Sequence, residues 1–471
     1  MNSGVRPAVK GAPTKSGTGW VSPRLLLIFS SLLVMAFFRE GFEQTALKVG
    51  ALLLAAASAS VALFRPLVVV DRDRLRRAEH ALLASLLFLG LISTAGLLAQ
   101  SFADLASPLW LMVASAYAVL GLLGALLLVR RTPKMKWALP LLLLAHAVIT
   151  VVFLRSTPAH QDVQVFLSDS AVALLHGQNP YSITFPNIFR SPETELFYGP
   201  GVVVDGRITY GFPYLPVSLL VALPGQLLGD VRYGQLIAMT VTALVLYRLA
   251  SDRIGRTAAV LGVAAPAAIP VLTGAWTEPT LVALLACLVL ALERRQLVLG
   301  AALLGLFLVS KQYVVIAIPA VWLLRPWLTR RTILTGLGVA AAVTLPFFLV
   351  DPPAFWKAIV EFQLIQPFRA DSVSLLVASV NAFGWPPPWT YGVLPFVGGG
   401  LTALTLALLA PRSPAAFAGA IGLTLLVTIL LSKQAFMNYY FLVSGAFLIA
   451  AVAWPGQPEP VRPAPQRSKS S

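Results

Sequence analysis

Apolar runs of roughly membrane-spanning length recur along almost the whole chain, from Leu25 to about Trp454. Of the 471 residues, 58% are hydrophobic and 11% are charged, whereas soluble proteins carry about 25% charged residues. A helix needs about 20 mostly apolar residues to cross a bilayer, so the pattern predicts an all-α, polytopic membrane protein with about 13–15 transmembrane helices. An ordinary soluble domain is excluded.

The net charge of +16 is concentrated in short segments that flank the apolar runs. Those segments are 1–24, 65–79, 130–136 and 455–471. Cytoplasmic loops of membrane proteins carry an excess of Lys and Arg, so this distribution predicts a multi-pass protein with both termini in the cytoplasm. In a soluble chain the same charge would suggest nucleic acid. Here it orients the protein, and no nucleic-acid partner is predicted.

The chain is predicted to have four parts. They are a disordered cytoplasmic tail (1–24), a group of extra N-terminal transmembrane helices (25–130), a main transmembrane module (131–454) and a second disordered tail (455–471). The two longest non-apolar stretches of the main module, 155–212 and 351–389, are predicted on the exoplasmic side. The run 214–229 is short and contains Pro216 and Pro224. A re-entrant or broken helix is therefore expected there, which leaves about 14 crossings.

An amphipathic helix is predicted just after the fifth apolar run. Apolar residues recur at helical spacing from Val163 to Leu175, and Gly177 ends the pattern. Such a helix lies on the membrane surface, with Asp162 in its first turn. Asp162 is either a helix cap or a functional carboxylate beside the lipid headgroups. Asp169, two turns later on the same face, is either a second carboxylate or a solvated position.

Further ionisable residues lie at the predicted outer ends of the apolar runs. Glu278 opens a helix, and the triplets Ser310-Lys311-Gln312 and Ser432-Lys433-Gln434 repeat each other. Arg369 follows in the loop after Asp351. Lysines at such positions either extend to the interface or, together with Arg369, bind an anionic phosphate or diphosphate. Glu278 is a candidate second carboxylate.

No metal or cofactor is predicted. His160 and His176 have no third ligand, so they are interpreted as interfacial side chains. The Asp-x-Asp spacing at Asp71 and Asp73 lies in a short basic loop, where alternating charges indicate a solvated connection. The single cysteine, Cys287, excludes a disulfide framework. No Gly-rich phosphate loop, nucleophile elbow or metalloprotease helix is found.

Three motifs together resemble a known family. They are Asp162-Val-Gln-Val-Phe, Ala173-Leu-Leu-His-Gly-Gln-Asn-Pro-Tyr181 and Tyr210-Gly-Phe-Pro-Tyr-Leu-Pro216. The pattern resembles the GT-C superfamily of membrane glycosyltransferases, in particular its family 87 branch, the polyprenol-phosphate-mannose-dependent mannosyltransferases and their bacterial relatives. Asp230-Val-Arg232, Trp276-Thr-Glu-Pro279 and Ser310-Lys-Gln312 look like further blocks of that group. The resemblance covers roughly 137–454 and leaves the first four runs without a counterpart.

The resemblance implies a GT-C-like fold and a hexosyltransferase of the cell envelope, located in a bacterial cytoplasmic membrane. Its active site would face the exoplasm. The enzyme would transfer mannose or another hexose from a polyprenyl phosphate donor to a lipid or glycan acceptor, with Asp162 as the general base. By position, we expect the donor phosphate to bind Lys311, Lys433 and Arg369. The expected substrate-lining residues are Asn179, Tyr181, Tyr214, Gln312, Gln434 and Tyr439.

A transporter or flippase of lipid-linked or small anionic substrates is the alternative hypothesis, because it shares the broken helices and buried cations. Transporters usually contain repeats and place charges near the bilayer midplane. Apart from the Ser-Lys-Gln triplets the chain shows no repeat, and its charges lie toward the outer edge. A cavity open only to the outside and lined by Asp162 would favour the transferase. A third, purely structural role remains open.

Overall fold

The protein is described by a computed structural model over residues 22–35, 46–64, 138–156, 161–190, 192–251, 255–256 and 268–454. Most of these residues are helical, and the strands among them are three two-residue segments. The prediction of an all-α chain is confirmed. The predicted runs 81–100 and 108–129, most of both tails, the loops 65–79 and 130–136, and His160 lie outside the described residues.

The apolar runs that the structure describes are helices. The α-helices are α1 (Pro23–Met35), α2 (Ala46–Phe64), α3 (Ala138–Ser156), α4 (Asp162–Leu175), α5 (Glu193–Phe197), α6 (Pro216–Leu227), α7 (Arg232–Leu249), α8 (Ala268–Thr273), α9 (Glu278–Glu293), α10 (Leu297–Leu308), α11 (Arg330–Val350), α12 (Pro352–Trp356), α13 (Phe362–Leu364), α14 (Leu375–Phe383), α15 (Leu394–Leu409), α16 (Pro414–Leu430) and α17 (Met437–Ala453). A 3₁₀ helix covers Gln312–Trp327, a second covers Pro388–Thr390, and a π turn covers Lys357–Glu361.

Two helices lie at the centre of the main bundle. α16 and α17 are apolar on every face and are buried on nearly every face, which is typical of helices with neighbours all round. α17 packs against α1, α9 and α16, and α9 packs in turn against α7 and α10. These helices share one large hydrophobic core.

Among the described residues, two helices are long and apolar enough to cross a membrane, namely α2 and α11. Seven further apolar helices or helix segments have 10–17 residues. The 16-residue 3₁₀ helix is longer than its residue count suggests, because a rise of about 2.0 Å per residue extends it to roughly 32 Å.

A second, smaller core lies at one end of the bundle. Apolar residues of α4, of the chain from Tyr181 to Phe212 and of the segment Phe355–Phe362 meet there. The three strands form an antiparallel sheet in the order β1 (Phe185–Pro186), β3 (Arg207–Ile208), β2 (Val203–Val204). The stretches 155–212 and 351–389, read as two separate loops in the sequence, therefore pack on each other.

Helix α6 begins and ends at the same end of the bundle. Near its start, Ser218 donates from Oγ to the carbonyl of Ser310 at 3.0 Å. Just after its end, Arg232 donates from Nη2 to the carbonyl of Leu154 at 2.7 Å, and Leu154 lies in the last turn of α3. Twelve residues of α-helix span only about 18 Å. The segment predicted as a re-entrant or broken helix at 214–229 is thus a short helix, and it is continuous rather than broken, with Pro224 inside it.

Candidate functional site

Asp162 is the first residue of α4, as predicted. Gln161 is the N-cap residue, without a capping side-chain bond. Asp162 accepts the main-chain N–H of Val163 at Oδ1 and the hydroxyl of Tyr198 at Oδ2, both at 2.8 Å. The carboxylate therefore does more than cap the helix, because one oxygen is bound by a side chain 36 residues away. Part of Asp162 stays accessible.

Tyr198 is a site residue that the sequence did not reveal. Its ring is buried beside Phe189, with ring centroids 5.9 Å apart. Burial and the neighbouring Asp162 carboxylate raise the pKa of Tyr198, so its hydroxyl stays protonated and donates. Burial also raises the pKa of Asp162, and the hydrogen bonds from Tyr198 and Val163 and the charge of Arg369 oppose that rise. Asp162 remains available as a base with a raised pKa.

Arg369 reaches the same place from the other outer stretch. Its guanidinium lies 4.3 Å from the ring centroid of Phe197 and 4.8 Å from that of Phe436. Asp371 accepts from Nε at 2.8 Å and from Nη2 at 2.6 Å. Arg369 is close enough to Asp162 to interact with it electrostatically. A buried cation and a candidate base, about 200 residues apart in the chain, are therefore neighbours.

A second cluster surrounds Glu278 at the start of α9. Its Oε1 accepts from Lys311 Nζ at 2.5 Å, from Asn438 Nδ2 at 2.8 Å and from the hydroxyl of Tyr313 at 3.1 Å. Glu278 is completely buried, and its Oε2 has no hydrogen-bond partner among the described residues. The ammonium of Lys311 lies 4.9 Å from the ring centroid of Tyr214. Lys311 is therefore held in an ion pair.

Tyr214 and Tyr439 connect the two clusters. Each lies within electrostatic range of both Asp162 and Glu278. The ring of Tyr439 also lies 5.6 Å from the ammonium of Lys311. The structure thus brings together Asp162, Glu278, Lys311, Arg369, Tyr214 and Tyr439, which the sequence proposed as site residues. Tyr198, Asn438 and Asp371 are additions.

Three other predicted residues, at the edge of this group, donate side-chain hydrogen bonds to main-chain carbonyls. Lys433 donates to the carbonyl of Gln366 at 2.5 Å and to that of Leu364 at 3.4 Å, and burial lowers its pKa. Gln434 donates to the carbonyl of Pro367 at 3.0 Å. Gln312 donates to the carbonyl of Pro213 at 2.8 Å. These contacts fix the loop that carries Arg369 and the segment before α6.

Asp169, Asn179 and Tyr181 lie elsewhere. Asp169 is about 10 Å from Asp162 along the axis of α4, and the basic group that acts on it electrostatically is Arg207 of the small sheet. Burial raises the pKa of Asp169, and Arg207 opposes that rise. Asn179 accepts the N–H of Tyr181 and donates to Ser182, which forms a local turn. Tyr181 is buried in the small core and donates to the carbonyl of Tyr214 at 2.8 Å.

A cavity in the main bundle lies among α1, α7, α9 and α17. Its lining is almost entirely apolar and includes Met35, Met239, Pro279 and Phe441. It is not lined by Asp162, so it is not the outer cavity that the transferase hypothesis expects. Within the described ranges, no group of three or more His, Cys, Asp or Glu side chains has the arrangement of a metal site.

Comparison of the chain with protein-family models, with curated protein sequences and with solved structures gives no match. The likeness to the GT-C superfamily therefore stands on the short motifs alone.

Proposed function

We propose that the chain is a polytopic membrane protein. The apolar surface of α11 supports this. Only 6% of the most apolar 18-residue stretch of this helix is buried inside the protein, and Leu337, Leu349 and Val350 are exposed. Proteins in water rarely expose contiguous apolar surface of that extent. The core helix of a soluble protein would be mostly buried, and a signal sequence would lie near the N-terminus. Neither describes α11.

The charges at the two ends of the bundle support one orientation. Several arginines lie at the end opposite the site. Arg294, Arg295 and Arg412 lie between helices, and Arg330 and Arg331 are the first two residues of α11. The guanidinium of Arg295 lies 5.8 Å from the ring of Trp327, so these connections are neighbours. By the positive-inside rule this end faces the cytoplasm and the site faces the exoplasm. The exposed Phe383, Trp385 and Trp389 near the site fit an interfacial aromatic belt.

For the activity, we propose transfer of a sugar from a polyprenyl phosphate donor to an exoplasmic acceptor. The observation that carries this proposal is that a partly accessible Asp162 lies within electrostatic range of a buried cation, Arg369, at one end of the bundle. Glycosyl transfer from a phosphate donor needs a base for the acceptor and positive charge for the leaving group. The two residues supply these groups.

In the proposed reaction Asp162 takes the proton of the acceptor hydroxyl. The acceptor oxygen then bonds to the anomeric carbon, and the bond between that carbon and the phosphate oxygen breaks. The polyprenyl phosphate leaves with the electron pair. Its growing negative charge is stabilised by Arg369, so no general acid is needed. Tyr198 orients Asp162 from the side of Oδ2.

Reconstitution of the purified chain in liposomes tests this function against the flippase alternative. The probes are a fluorescent short-chain polyprenyl phosphate mannose as donor and octyl mannoside as acceptor. A transferase releases polyprenyl phosphate and extends the mannoside. A flippase moves the donor between leaflets without changing it, and that outcome would overturn the proposal.

Replacing Tyr198 with phenylalanine is expected to change the pH dependence of transfer. Asp162 acts as a base only when deprotonated, so activity falls as the pH drops through its pKa. Loss of the Tyr198 hydrogen bond to the carboxylate raises that pKa, and the acidic limb of kcat/KM should move up by about one pH unit. Tyr210→Phe, in the same outer region, is the matched control and should leave the limb in place. An unchanged limb in Tyr198→Phe would show that Tyr198 does not act on the titrating base.

A further inference from the structure

Arg369 is fixed in position on several sides. Its side chain is 5% exposed and lies close to the rings of Phe197 and Phe436. Its main-chain N–H donates to the carbonyl of Lys433 at 3.2 Å, and its own carbonyl accepts the N–H of Ser372 at 3.0 Å. The guanidinium is therefore a preorganised cation that keeps its place when a partner leaves.

Asp371 is the more loosely held member of the pair. Its side chain is 32% exposed. Apart from its two bonds with Arg369, it makes no other side-chain hydrogen bond in the part of the chain that the structure describes. Rotation of this carboxylate into solvent breaks its two hydrogen bonds with Arg369, and no other residue in the described ranges loses a hydrogen-bond partner. The arginine, in contrast, cannot follow it without leaving both rings.

The edge of Arg369 that Asp371 occupies is suited to a phosphate. A guanidinium binds a carboxylate or a phosphate through the same pair of parallel N–H donors. Lys433 lies beside this loop, and its ammonium is bound by carbonyls, without a carboxylate partner among the described residues. A phosphate at this edge would replace the carboxylate with another anion that also presents two acceptor oxygens to the guanidinium.

We propose that Asp371 is a placeholder: its carboxylate covers the phosphate-binding edge of Arg369 and is displaced by the phosphate group of the ligand. The ligand class is a phosphate group, carried either by a lipid headgroup or as free phosphate. The lipid part of this inference rests on the proposed function, whereas the anion site rests on the geometry of Arg369 and Asp371. Asp371 thereby sets the affinity for the donor and for the released polyprenyl phosphate.

Equilibrium binding to the purified full chain tests the proposal, with geranyl phosphate and inorganic phosphate as separate probes. Asp371→Asn removes the competing charge, so the dissociation constant should fall about fivefold, which corresponds to about 1 kcal/mol. Asp371→Ser serves as a second charge-removing variant. Asp205→Asn removes an exposed acid elsewhere in the outer region and should change nothing. Arg369→Gln should abolish the binding.

The arms of this experiment separate the possible outcomes. A gain with both probes means that the site binds any phosphate, and a gain with geranyl phosphate alone means that it requires the lipid. Weaker or unchanged binding in both Asp371 variants would overturn the proposal, because Asp371 would then position Arg369 or play no part. Tighter binding without sugar transfer in liposomes would contradict the proposed function and leave the placeholder intact. Sugar transfer without tighter binding in the Asp371 variants would support the proposed function and contradict the placeholder role of Asp371.

Discussion

Replacing Asp162 with asparagine is expected to lower the rate of sugar transfer by about 10³-fold, the contribution of a positioned general base. Asparagine keeps the size of the side chain, and its oxygen can still accept from Val163. Its Nδ2 takes the place of Oδ2 and can donate to the hydroxyl oxygen of Tyr198, which now donates to Oδ2. The fold should therefore survive while the proton acceptor is lost. The measurement is kcat for release of polyprenyl phosphate, with the unfolding temperature of the variant as the check on structure.

Asp169→Asn is the matched control for this experiment. It makes the same chemical change two helical turns away on α4, where Arg207 rather than Arg369 acts electrostatically on the carboxylate. Its rate should stay within about twofold of the original, because Asp169 is half-buried and lies about 10 Å from Asp162. If Asp169→Asn abolished transfer and Asp162→Asn did not, the base would be Asp169. If neither mattered, the transferase proposal would lose its central residue.

The sequence predicted the helices and the position of Asp162 because both are local features. The apolar run 414–432 becomes α16, and the pattern after Asp162 becomes α4 with its end before Gly177. Helical periodicity and turn residues act over a few positions, so they can be read without the fold. The same reasoning shows why the short run at 214–229 gave a short helix.

The partners of the charged residues could not be read from the sequence. The sequence predicts Lys311, Arg369 and Lys433 as phosphate-binding cations. In the structure Lys311 is bound by Glu278, and Lys433 is bound by main-chain carbonyls. Tyr198 could not be predicted as a site residue, because nothing in its local sequence pattern marks a contact with a residue 36 positions earlier. Such contacts depend on the packing of the two outer stretches in one small core, which no periodicity encodes.

Separate replacement of Lys311 by methionine and of Glu278 by glutamine is expected to destabilise the protein strongly. The pair is buried, with Glu278 completely inaccessible. Removal of one partner leaves an uncompensated charge, which costs about 3–5 kcal/mol. The measurement is the free energy of unfolding by denaturant in detergent. Lys357→Met, which removes a partly exposed lysine, is the control and should cost less than about 1 kcal/mol.

The double variant, Lys311→Met with Glu278→Gln, should recover most of that loss, because it removes both charges together. Glutamine at 278 can still accept from Asn438 and Tyr313, which contact Glu278 now. The size of the recovery is the coupling energy of the pair. Additive losses would mean that the two side chains stabilise the bundle independently. The ion pair would then contribute nothing to the contact between α9, α17 and the start of the 3₁₀ helix. Full recovery together with retained transfer would assign Lys311 to the scaffold and leave the donor phosphate to Arg369 and Lys433.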